Sequence, residues 1–340
     1  MVRMPLRSPA LAAIVTAVAL TVGLAGCGAK DEHGRPDVPT VTPQTALPGP
    51  PVSMAPEGTV VPAPGLGTAL ALAPGPGRTL AAIARDGRSV ALFDAADLHR
   101  PPVVAATPQL RAIAADGDGF IAVGPTSVVR IAPTGATQVV GLKRPGLAVA
   151  VEGTAVFVGT EHGHLLILDS SLAQQTDVGG FVRIDAVAVA SRDSQRQIVV
   201  LDRAQSLVTT VDPNSRERGA ALRAGNGATT LIGDSFGRFL VANPRDGQLL
   251  GFYGNPLIMR FRFPVGDGPY GLAYDTRRNL LWVSETAANR VVAFDLSSGE
   301  PRERARFAAV RQPNSLVVDA ESGAVYALSA VGEGLQRVSR

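Results

Sequence analysis

The chain has 340 residues and a formal net charge of +3, with 46% hydrophobic but only 5% aromatic residues, so its core must be assembled from Ala, Val, Leu and Ile. Arg3 and Arg7 lie in a segment expected to be removed; their loss takes the net charge to +1 and excludes the broad basic surface of a nucleic-acid binder. Cys27 is the sole cysteine, which excludes an intramolecular disulfide.

Residues 1–26 read as a secretory leader. Arg3 and Arg7 precede an apolar run from Ala10 to Leu24, too short for a membrane span, which takes about 20 apolar residues. The run ends in Leu24, Ala25, Gly26 and Cys27, which resembles a bacterial lipobox. That resemblance implies cleavage before Cys27, a diacylglycerol on its thiol and an acylated amino group. The protein would then sit at the cell membrane, lipid-anchored on the extracytoplasmic side, because several acyl chains at about 0.8 kcal/mol per buried methylene make a lasting anchor. Residues 27–57 carry seven prolines, from Pro36 to Pro56, with scattered charge and no apolar period. Proline removes backbone donors and favours extended chain, so this segment reads as a disordered tether.

Beyond residue 58 the sequence repeats. The stretch Gly268 to Leu296 recurs from Gln312 at a constant offset of 44, which pairs Pro269 with Pro313, Leu272 with Leu316, Asp275 with Asp319, Trp282 with Tyr326 and Val291 with Leu335. Seven such units open at Leu70, Ile113, Val149, Val187, Leu231, Leu272 and Leu316, about 41 residues apart, the period of a propeller blade. Second and third strands follow, as in Leu80 to Ile83 and Ser89 to Phe93, or Leu281 to Val283 and Val291 to Phe294. They are apolar on successive residues, as sheets covered on both faces require. More polar outer strands are read at Thr137 to Gly141, Gln174 to Val178, Ala220 to Arg223, Met259 to Phe263 and Arg304 to Ala308. The last unit has none before Arg340. Thr59-Val60-Val61 before Pro64-Gly65 matches Thr137 to Val140 before Pro145-Gly146, so the N-terminal strand is expected to complete the seventh blade. The fold class is therefore all-β: a monomeric seven-bladed β-propeller of four-stranded blades over residues 58–340, closed by an N-terminal strand.

Leu281-Trp-Val-Ser-Glu-Thr-Ala-Ala-Asn289-Arg290-Val291-Val-Ala-Phe-Asp295 resembles the core of NHL and YVTN repeats. Members of those groupings bind proteins, nucleic acid or small ligands, and some are enzymes; the resemblance implies the fold and leaves the ligand open.

In such a ring the connections into each first strand and the turns between second and third strands share one face. The expected ligand-binding rim comprises Arg111, Arg183, Asp185, Asn226, Asn243, Tyr270, Glu285 and Asn314, with Glu161, His162, Arg203, Arg245 and Asn289 beside them. Arg pairs with carboxylates or phosphates through two parallel bonds; equally, turns favour Asn and Asp whatever they bind. Asp275 and Asp319 are expected to cap their own turns, and Pro74 to Gly77 to form a hairpin turn. Glu161-His162-Gly163-His164 falls short of the four ligands of a structural zinc site, and no metal or cofactor is expected. Glu285, Asn243, Asn226 and Asp185 are similar in type to the channel set of gluconolactonase-like propellers, which would imply a calcium-dependent lactonase or hydrolase. No nucleophile elbow, Walker loop or dinucleotide fingerprint occurs. The chain reads first as a binding or scaffold module, with an unknown protein or small ligand at its rim.

Overall fold

A computed structural model describes residues 35–73, 78–192 and 195–340; the lipobox with Cys27 and the Pro74 to Gly77 turn lie outside them. Blade 1 contains β2 (Leu66–Leu72), β3 (Thr79–Ala84), β4 (Ser89–Asp94) and β5 (Val103–Ala106). Blade 2 contains β6 (Ala112–Asp116), β7 (Gly119–Val123), β8 (Ser127–Ile131) and β9 (Thr137–Gly141). Blade 3 follows with β10 (Gly146–Glu152), β11 (Ala155–Thr160), β12 (Leu165–Leu168) and β13 (Gln174–Val178). Blade 4 is built from β14 (Ala186–Arg192), β15 (Gln195–Asp202), β16 (Leu207–Asp212) and β17 (Glu217–Arg223). In blade 5 the strands are β18 (Thr230–Gly233), β19 (Arg238–Asn243), β20 (Gln248–Tyr253) and β21 (Ile258–Pro264). Those of blade 6 are β22 (Pro269–Asp275), β23 (Leu280–Glu285), β24 (Arg290–Asp295) and β25 (Arg302–Ala308). Blade 7 takes β26 (Pro313–Val318), β27 (Val325–Ser329) and β28 (Leu335–Val338), and its outer strand is β1 (Thr59–Val61).

The expected propeller is what the chain forms, and the expected closure is there. Thr59 lies opposite Arg337, Val60 opposite Gln336 and Val61 opposite Leu335 in an antiparallel ladder. The first strands β2, β6, β10, β14, β18, β22 and β26 neighbour one another around the ring. One outer strand escaped the sequence: β5 is short, follows Pro101-Pro102, and exposes all but Ala105, so it lacks an apolar signal.

Alternation explains why the strands read as unbroken apolar runs. Leu80 and Ala82 of β3 pack with Tyr326 and Leu328 of blade 7, while Ala81 and Ile83 pack with Phe120 and Ala122 of blade 2. In β15, Val199 and Leu201 join the core shared with blade 5, whereas Ile198 and Val200 join the one shared with blade 3. Successive side chains of a strand point to opposite faces, so each blade feeds two cores. Seven apolar clusters result, one at each blade–blade interface. The expected turn capping also holds: Asp275 accepts the backbone N–H groups of Arg277 and Arg278, and Asp319 that of Glu321.

Polar bonds seal the seam. Gln336 is fully buried; its Nε2 donates to Glu57 O at 2.7 Å and Ala308 O at 2.9 Å, and its Oε1 accepts the Val310 N–H at 3.0 Å. Tyr326 Oη donates to Ala95 O at 2.6 Å, joining blade 7 to blade 1. Replacing Gln336 by Leu leaves the buried Val310 N–H without this acceptor, at about 1–3 kcal/mol for a buried group left unsatisfied, and removes one donor from Glu57 O, while Ala308 O keeps the Glu57 N–H. Urea denaturation of Gln336→Leu is therefore expected to show a loss of about 1–3 kcal/mol, and an unchanged midpoint would remove Gln336 from the seam.

Candidate functional site at the ring face

The connections entering β6, β14, β18, β22 and β26 and the turns after β11, β15, β19 and β23 all emerge at one end of the strands. The eight rim residues lie there, in separate groups rather than one constellation. Arg111 Nη1 pairs with Glu161 Oε2 at 2.8 Å, joining blade 2 to blade 3, and this bond holds the Glu161 carboxyl below its ordinary range. Arg183 Nε donates to both oxygens of Asp185 at 2.9 Å, and Asp185 Oδ2 also accepts the Arg203 N–H at 2.9 Å. Asn226 and Asn243 meet on Asp246, whose Oδ2 accepts the Asn226 N–H at 3.0 Å and Asn243 Nδ2 at 2.7 Å. Burial opposes ionisation of Asp246, but these donors outweigh it and hold its carboxyl low.

Glu285 is buried at the end of β23 and pairs with Arg290, which also reaches Asp267 at 2.9 Å. Burial pushes its carboxyl up, and Arg290 restrains the rise. Tyr270 and Asn314 sit half-buried on the innermost strands, and Asn314 Oδ1 is enclosed without a hydrogen-bond partner among the described residues. Of the four residues similar in type to a calcium set, Asn226 and Asn243 share Asp246, while Asp185 and Glu285 pair with Arg183 and Arg290 in other blades. Among the described residues no three His, Cys, Asp or Glu side chains are grouped to hold a metal. In the Glu161 to His164 stretch, His164 Nδ1 contacts Asp177 Oδ1 at 2.5 Å, and Asp177 Oδ2 accepts Arg144 Nε at 3.1 Å.

Two features were not visible in the sequence. Asp202, at the end of β15, is buried; its Oδ2 accepts the N–H groups of Val182 and Arg183, and its Oδ1 that of Gln205. Desolvation, reinforced by the Asp185 carboxylate and opposed by these three donors, pushes it up to about 6. A carboxylate before a turn looks like any other in sequence, so nothing marked it.

The second feature is the path of residues 41–50, which the sequence gives as part of the open tether and which lie against the ring face. Val41 N–H donates to Ala204 O at 2.8 Å in blade 4. Gln44 spans blades 4 and 5, its carbonyl accepting from Arg203 and its Oε1 from Arg245 Nε at 3.0 Å. Ala46 is buried and Leu47 packs on Gly268 at the start of blade 6. Arg311 Nε donates to Gly49 O at 2.9 Å and Asn289 Nδ2 to Pro50 O at 2.8 Å. Gly49 is required by proximity: a Cβ there would stand 2.4 Å from Asn289 Oδ1 and 2.9 Å from Gln312 N. Asn289, in the left-handed conformation at φ 49°, also accepts the Gln312 N–H through Oδ1 at 2.9 Å. The segment thus crosses blades 4 to 7 before β1 begins.

Two outcomes follow. Hydrogen exchange of residues 41–50 is expected to be slowed in the wild type and accelerated at least about tenfold in Asn289→Ala, the size expected for one or two lost hydrogen bonds; equal exchange would mean Asn289 does not hold the segment. For Asp202, the folded value near 6 exceeds the ordinary 3.8, so its protonated form stabilises the fold below about pH 4 and that contribution fades as pH rises through 6. The stability of the wild type relative to Asp202→Asn is expected to fall by about 2 kcal/mol between pH 4 and 7. A flat difference would mean that the three N–H donors cancel the effect of burial.

No protein-family model and no curated protein matches the chain. Solved structures do. A chain of Kuenenia stuttgartiensis hydrazine synthase superposes with a TM-score of 0.69 at 14% identity, covering 84% of this chain and 98% of that one. A chain of a mitotic checkpoint complex gives 0.71 at 13%, covering 88% and 96%. One from a crystal of BBS1N in complex with ARL6DN, soaked with mercury, gives 0.67 at 13%, covering 88% and 97%. At these identities the likeness is one of fold, and the chain is a seven-bladed β-propeller.

Proposed function

We propose that this chain is a lipid-anchored, extracytoplasmic propeller whose ring face is a binding or scaffold module. The observation that carries the reading is the seating of residues 41–50: the face holds a stretch of extended chain, largely through side chains directed at its main-chain carbonyls. Recognition of that kind suits unstructured peptide, because the carbonyls are present whatever the sequence. Around that seat the rim charges are paired with one another, as in Arg111–Glu161 and Arg183–Asp185. This favours a preorganised docking surface over a set of groups poised for chemistry. Two of the similar folds come from structures named as complexes, the mitotic checkpoint complex and BBS1N with ARL6DN, which agrees with a protein-binding role here. The anchor rests on Leu24, Ala25, Gly26 and Cys27.

Metabolic labelling with an alkynyl fatty acid tests the anchor: the wild type is expected to take up label and fractionate with membranes, and Cys27→Ala to take up none. Label on Cys27→Ala would overturn it. For the module, a photo-cross-linking residue in place of Arg111, on the part of the face that residues 41–50 leave uncovered, is expected to give one discrete adduct in cells. Cross-links confined to the chain itself would point to a ring without a docking role at that position.

A further inference from the structure

A second concavity lies at the opposite end of the strands, between blades 5 and 6. Its volume is about 460 Å³, within the range of small-molecule sites. Phe252 and Leu296 form buried parts of its wall, and Tyr253 and Phe261 line it further. Gly251 lets the Phe261 ring lie flat on β20, since a Cβ there would stand 2.1 Å from the ring. At the mouth Phe236 is 47% exposed, an unusual state for a large aromatic ring that elsewhere in this chain goes to the core.

Two guanidinium groups meet this apolar wall, in different states. Arg238 is committed: it pairs with Asp234 and donates to Leu296 O at 3.0 Å, Asn279 Oδ1 at 3.2 Å and Tyr274 Oη at 3.3 Å. Arg260 lies 5.8 Å from the Tyr253 ring centroid, and among the described residues no carboxylate pairs with it and no hydrogen bond occupies it. Most other arginines around the ring are tied to Asp, Glu or a carbonyl. An uncommitted guanidinium beside an open aromatic pocket supplies a bidentate anchor and a flat apolar seat together.

We propose that this pocket binds a small anion with a flat apolar body, its carboxylate held by Arg260 and its ring system seated against Phe236, Tyr253 and Phe261. The site is independent of the ring face and of the lipid anchor, and nothing in it performs covalent chemistry.

The test is calorimetric titration of the purified full chain, in one detergent throughout, with 2-naphthoate and with its neutral counterpart 2-naphthalenemethanol. One saturable site per chain is expected for 2-naphthoate. Arg260→Glu is expected to weaken it by about tenfold or more, the size of one charge-assisted hydrogen bond, while leaving 2-naphthalenemethanol unchanged. Phe236→Ala is expected to weaken both, roughly fivefold, through lost apolar contact. Both side chains are on the surface, and an unchanged melting temperature confirms that each variant is folded. The proposal fails if 2-naphthoate does not saturate, if neither substitution alters it, or if Arg260→Glu weakens both compounds equally.

Discussion

Everything in this molecule depends on each blade being covered on both faces. Seven sheets built from small aliphatic residues have little apolar depth of their own, and each is stable only because Leu80 or Val199 turns one way and Ala81 or Ile198 the other. Six of the seven interfaces join consecutive blades. The remaining one, where Leu80, Ala82 and Phe93 meet Tyr326, Leu328 and Leu335, forms only if the ends of the ring meet. Val61 and β1 complete that contact by adding an edge strand, and an unpaired edge is the weak point of any sheet. Gln336 and Tyr326 supply the polar bonds that fix the join.

The architecture was legible in the sequence because its cause is local. Burial on both faces writes unbroken apolar runs, and the repeat writes a constant offset; both survive without any knowledge of contacts. Closure was legible for the same reason, through the match of Thr59-Val60-Val61 to Thr137 to Val140. What the sequence hid has the opposite property. β5 is exposed and carries no run. Residues 41–50 are held by arginine and asparagine side chains more than 150 positions away, acting on main-chain carbonyls that leave no trace in composition. Ala46 and Leu47 are too few to make a period.

The candidate site was legible as a set of positions and not as an arrangement. The rim residues do lie at one end of the ring, but Asp246 and Asp202 organise them, and neither differs in sequence from an ordinary turn carboxylate. Asp246 gathers Asn226 and Asn243 into one network, while Asp202 orders the backbone from Val182 to Arg183 ahead of β14. Charge on this face is largely neutralised internally. At the other end of the strands Arg260 stands out because its neighbours offer it aromatic rings in place of carboxylates.

The pairing of β1 with β28 also sets the order in which the protein can be made. The two strands lie at opposite ends of the chain, so β1 is synthesised first among the strands and waits for the last. Until Leu335 to Val338 emerge, β1 has no partner and the interface between blades 7 and 1 stays open, whereas Asn289 and Arg311, which receive Pro50 and Gly49, come earlier in the chain. Contacts between such distant positions are slow to form. Ring closure and the burial of Gln336 therefore come late in folding: blades 1 to 6 can pack on one another in sequence, but β1 finds its partner only once β28 is in place.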